Sequence, residues 1–119
     1  MSVQLRFLVC GSQFHDNNYA HTMIEADGDK AFYDAIMKIK SYDPPTYLGC
    51  FIADSKSGDP CYGNLPETDK YGTPHRMVKA GSLSLEHFKE AHYYHNLPIA
   101  ALKYMDAIDP DTWIVLHWH

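Results

Sequence analysis

Val3, Leu5, Phe7 and Val9 alternate with Gln4 and Arg6, and Leu8 and Cys10 then make the second face apolar as well. That pattern predicts a strand well inside a sheet, covered on both faces. Gly11-Ser12 ends it, the polar residues 13–18 read as a loop, and a second short strand is expected near residues 19–26. Phe32, Ala35, Ile36 and Ile39 then repeat at helical spacing. Asp27 or Asp29 can cap this helix, because a short carboxylate accepts hydrogen bonds from the unpaired amides of the first turn. Pro44-Pro45 is expected to stop it.

Residues 47–53 form a compact apolar run, read as a buried strand, and residues 75–80 are expected to return antiparallel to it. Between them, residues 54–74 hold Gly58, Pro60, Gly63, Pro66, Gly72 and Pro74. That density of breakers predicts an irregular excursion that is mobile or contacts a partner. Ser84 is placed as the cap of another helix with Leu85, Phe88, Ala91, His92 and His95 facing inward. Pro98 restarts a further helix that buries Ile99, Leu102, Met105 and Ile108. After the turn at Asp109-Pro110-Asp111, the last strand places Trp113, Val115 and His117 on one face and Ile114, Leu116 and Trp118 on the other. The expected fold is α+β, a single domain over residues 1–119. Its order is β-β-α-β-β-α-α-β, with one mainly antiparallel sheet covered on one face by helices.

Composition narrows the function more than it defines it. The 119 residues are 45% hydrophobic and 21% charged, as expected of one folded domain. Fifteen acidic against ten basic residues give a net charge of −5, with the basic residues scattered singly. Such a surface repels phosphate backbones, so direct nucleic-acid binding is not expected and a basic macromolecular partner, a protein, fits better. The N-terminal residues lack the basic and apolar regions of a signal peptide and no apolar run is long enough for a bilayer, so the expected location is cytoplasmic. Cys10, Cys50 and Cys61 show neither disulfide nor Cys-x-x-Cys spacing.

Two constellations are candidates for chemistry. His92 and His95 lie three apart on an expected helix, and His117 and His119 share a strand face, so the four could hold zinc or a similar transition metal. Glu86, Glu90 or Cys61 could complete that set, and no other cofactor is expected. His87, His15 and His21 lie near Glu86, Asp16 and Glu25, but no complete hydrolase, Walker or dinucleotide motif surrounds any of them. The second constellation is nine tyrosines mixed with carboxylates. A tyrosine ring buries area at low entropy cost and keeps a polar tip, which suits protein recognition. Tyr62, Glu67, Asp69 and Tyr71 in the long excursion, with Tyr93 and Tyr94 on the helix, are the expected partner-binding residues. The sequence therefore leans towards a small acidic binding or inhibitor protein, such as an immunity or phage anti-defence protein. A small metal-dependent or acid-base enzyme using the C-terminal histidines is the alternative.

Overall fold

In the computed structural model, β1 spans Leu5–Cys10 and lies between β2, Tyr19–Glu25, and β6, Trp113–Trp118. The structure describes residues 4–10, 19–44, 49–53, 60–64, 68–69, 71–88 and 96–118; for residues 19–21, 49–53, 60–64 and 96–97 this means the backbone alone. The sheet has six strands in the order β4-β3-β2-β1-β6-β5, where β3 is Gly49–Ala53, β4 is Pro60–Asn64 and β5 is Arg76–Lys79. All pairs are antiparallel except β2 with β3. That pair is joined through helix α1, Lys30–Met37, because parallel neighbours need a crossover. The domain is α+β, as the hydrophobic pattern implies.

The helices gather on one face. Leu5, Phe7 and Val9 of β1, Ile114 and Leu116 of β6 and Val78 of β5 point into a core closed by Phe32 and Ile36 of α1. Ala101, Leu102 and Met105 of α2, Asn96–Ala107, complete it with Ala80, Leu83 and Phe88. On the opposite face the ladder aligns Met23, Leu8, Val115 and Met77 in one apolar row across β2, β1, β6 and β5. Both faces of β1 are therefore buried, which explains why its sequence loses alternation after Arg6.

Three expectations are corrected. Residues 76–79 do not return along β3; they pair with β6, and β3 pairs instead with β4 in the register Phe51↔Tyr62. The stretch 54–74 accordingly contains a strand and a bridged turn, since Pro60 begins an edge strand, where its missing amide hydrogen is tolerated. Where the first turn of a helix capped by Ser84 is expected, two short 3-10 turns, Ala80–Leu83 and Leu85–Phe88, follow β5, and the rest of that expected helix, residues 89–95, lies outside the described residues. The first is held by the Ala80 and Gly81 amides donating to the carbonyls of Thr112 and Pro110, and extended backbone at Ser84 separates the two.

Helix α1 begins where predicted and ends early. Asp29 caps it by accepting from the Phe32 amide at 2.8 Å, whereas Asp27 accepts from Leu5 N at 2.8 Å and so ties the segment to β1. Its last residue is Met37, before the prolines, because the chain is recruited by β5: Tyr42 exchanges both backbone hydrogen bonds with Met77. Arg76 holds the same segment by donating to Ser41 Oγ and O and by pairing with Asp43.

Candidate functional site

The groove beside α1 is built from three pieces of chain. Tyr33, Asp34 and Met37 lie along one flank of α1, Trp118 ends β6, and Asp69, Tyr71 and Thr73 come from the turn that leads into β5. The start of α1 orients the first wall. The Gly28 amide donates to the Tyr33 hydroxyl at 3.2 Å, and a side chain at Gly28 would meet the buried Phe32 ring at 2.5 Å. Tyr33 in turn meets Trp118 edge to face, with ring centroids 5.1 Å apart and planes at 88°, a favoured aromatic geometry.

The opposite wall is a self-supporting turn. Thr68 and Pro74 bridge, the Asp69 amide donates to Thr73 O, and the Gly72 amide donates to Asp69 O. Gly72 sits at φ +79°, in the left-handed region that glycine adopts without steric cost. The Asp69 carboxylate closes the turn, its Oδ1 accepting from Tyr71 N at 2.9 Å and Thr73 N at 3.0 Å. Asp69 is 7% exposed, so its carboxylate is committed to the turn that presents Tyr71. Tyr71 itself is 44% exposed and Met37 61%. Aspartate with glycine three residues on was the available signal for this turn.

The local field is negative. Burial pushes the pKa of the Tyr33 hydroxyl up, against the hydrogen bond from Gly28, and the charges of Asp27 and Asp29 and the Tyr71 hydroxyl push it in the same direction. Asp34 stands at the rim, with Lys30 Nζ 3.8 Å away and both side chains largely exposed. Such a pair contributes little and is readily exchanged.

Of the residues expected to bind a partner, the structure brings Asp69 and Tyr71 together here, with Tyr33, Met37 and Trp118, which sequence reasoning did not single out for this role. Tyr62 lies on the edge strand β4, four strand spacings, or about 19 Å, from β6. Glu67, Tyr93 and Tyr94 lie outside the described residues.

Of the four histidines expected to hold a metal, the structure describes one, His117. His92, His95 and His119 lie outside the described residues, and His117 is on the face away from the helices, where it meets His75. The ladder sets Glu25, Arg6 and His117 in a row across that face, and the His75 side chain reaches His117 at its end. His75 Nε2 and His117 Nδ1 are 3.0 Å apart, the ring planes differ by 10°, and the centroids are 5.3 Å apart. The centroid distance exceeds the nitrogen distance by two ring radii, so the rings lie edge to edge in one plane and the contact is an N–H···N hydrogen bond. His75 is 3% exposed, and among the described residues neither its Nδ1 nor Arg6 Nε has a hydrogen-bond partner. Among the described residues, no group of three or more histidine, cysteine, aspartate or glutamate side chains is arranged to hold a metal ion.

Among the described residues, no helix is long and apolar enough to cross a membrane. Comparison of the chain with protein-family models, with curated proteins and with solved structures gives no match.

Proposed function

We propose that this chain is a small recognition protein that binds a basic site on a protein partner through the groove of Tyr33, Asp34, Met37, Asp69, Tyr71, Thr73 and Trp118. The observation that supports this most is the exposure of Met37 and Tyr71 at 61% and 44% beside the Tyr33–Trp118 pair, on a chain of net charge −5. Large apolar and aromatic side chains left in water next to carboxylates gain most when a partner covers them. The acidic surface steers a basic partner towards them, and the groove then sets the lifetime of the complex. A cytoplasmic inhibitor that occupies a basic functional surface, as an immunity or phage anti-defence protein does, is the subclass to which this reading extends.

The test uses immobilised peptides of equal length and net positive, zero or negative charge. The chain is expected to be retained on the positive set, with retention falling as salt rises. Tyr71→Ala and Met37→Ala should weaken retention at an unchanged melting temperature. Retention that ignores peptide charge, or that both substitutions leave intact, defeats the reading.

A further inference from the structure

We infer that the groove takes a single arginine side chain of the partner as its anchor. This rests on the groove being the recognition surface and adds which chemistry enters it.

Size comes first. The groove measures about 290 Å³, at the bottom of the roughly 300–1,000 Å³ range of pockets that enclose whole small ligands. It is open along one side, so it admits one long side chain rather than a folded segment of the partner. The lining selects the chemistry of that side chain. Tyr33, Tyr71 and Trp118 supply ring surface, the Met37 thioether lies at the lip, and Asp34 places a carboxylate at the rim. A long aliphatic stem with a cationic head satisfies all of these at once: the stem covers the apolar walls while the head meets ring and carboxylate. The same chain already makes contacts of this kind internally, with Lys40 Nζ 5.3 Å from the Tyr42 ring centroid and Lys79 Nζ 5.0 Å from that of Trp113.

Arginine fits better than lysine for a physical reason. Its planar guanidinium is weakly hydrated, stacks on an aromatic face and still directs in-plane N–H groups at a carboxylate, whereas an ammonium ion must shed tightly held water to lie against rings. The carboxylates around Tyr33 reinforce the choice of a cation. Asp27 and Asp29 act on its hydroxyl through space, and Asp69, its carboxylate accepting from backbone amides of the turn, lines the same groove. Lys30 is no obstacle, because its ion pair with Asp34 is exposed and a guanidinium of the partner can replace it.

The test is a nuclear magnetic resonance titration of the intact chain with four capped tripeptides, glycine-X-glycine, where X is arginine, lysine, citrulline or norleucine. Citrulline keeps the shape of arginine without its charge. Arginine is expected to shift the Trp118 indole and Met37 methyl signals saturably, to leave the Trp113 indole in place, and to bind about tenfold more tightly than citrulline. Lysine should fall between them. Asp34→Asn, a substitution at an exposed position, should weaken the arginine peptide and leave citrulline unchanged. If citrulline or norleucine binds as tightly as arginine through the same residues, the inference is overturned while the groove survives as a recognition surface. Equal binding of lysine and arginine overturns the choice of arginine. Shifts confined to residues away from the groove, or no shift by the arginine peptide, overturn the inference; the charged-peptide experiment with Tyr71→Ala and Met37→Ala decides the groove separately.

Discussion

His75 and His117 form a coplanar N–H···N hydrogen bond across the ends of β5 and β6, Nε2 to Nδ1 at 3.0 Å. The two residues stand opposite one another just beyond the pair Arg76↔Leu116. Two nearby residues in the chain, Thr73 and Trp118, belong to the groove. The bond therefore stitches together the two chain segments that carry the Tyr71 turn and the Trp118 wall.

A double-mutant cycle on this pair follows. His75→Phe and His117→Phe each remove the bond, while the double substitution also removes the ring nitrogen left facing an apolar ring. The expected coupling is about 1 kcal/mol in favour of the native pair, read from denaturant unfolding midpoints at neutral pH. Additive single effects would show that the contact contributes nothing to stability.

Asp69 is expected to act through the turn rather than by direct contact with a partner. Asp69→Ala removes the acceptor for Tyr71 N and Thr73 N and should cost about 1–2 kcal/mol. Asp69→Asn keeps an oxygen in the same position and should recover most of that loss. Thermal unfolding of the two variants decides it, since an exposed carboxylate serving only in partner binding would leave both as stable as the parent.

Gly28→Ala should destabilise the fold by about 1–3 kcal/mol, the usual range for forcing an extra carbon into a packed site. The added Cβ would lie 2.5 Å from Phe32 Cδ2, and Phe32 is fully buried, so its ring has no free direction in which to yield. Calorimetry measures this directly. An unchanged melting temperature would mean that the segment before α1 shifts as a whole at no cost.

Tyr33 predicts the alkaline behaviour. Its pKa is raised above 10.0, chiefly by burial, so the folded chain favours the neutral phenol. Such a group stabilises fully below its unfolded pKa, and the contribution is lost as pH rises from there through the folded pKa, because the unfolded state releases the proton first. Stability of the parent should therefore fall as pH climbs beyond about 10, and Tyr33→Phe should fall less steeply over the same interval. Parallel slopes for the two proteins would contradict the assignment.

Local chemistry was sufficient for much of the fold. The apolar positions of β1, the capping carboxylate at Asp29, the buried stripe of α2 and the alternation of β6 all follow from periodicities and turn residues within a few positions of one another. The face assignment of β6 was readable too, since Ile114, Leu116 and Trp118 must point together if the strand is extended. Strand partners were not readable. Whether β5 joins β3 or β6 depends on which edge offers a matching apolar row, and Met77 and Val78 find Val115 and Ile114 only once the sheet exists. The candidate site falls in the same class. Tyr33, Tyr71 and Trp118 lie far apart in sequence on a helix, a turn and the last strand, and each alone reads as a core-edge aromatic. Only the tertiary structure made them one groove, because side-chain convergence is decided by long-range packing and leaves no periodic trace along the chain.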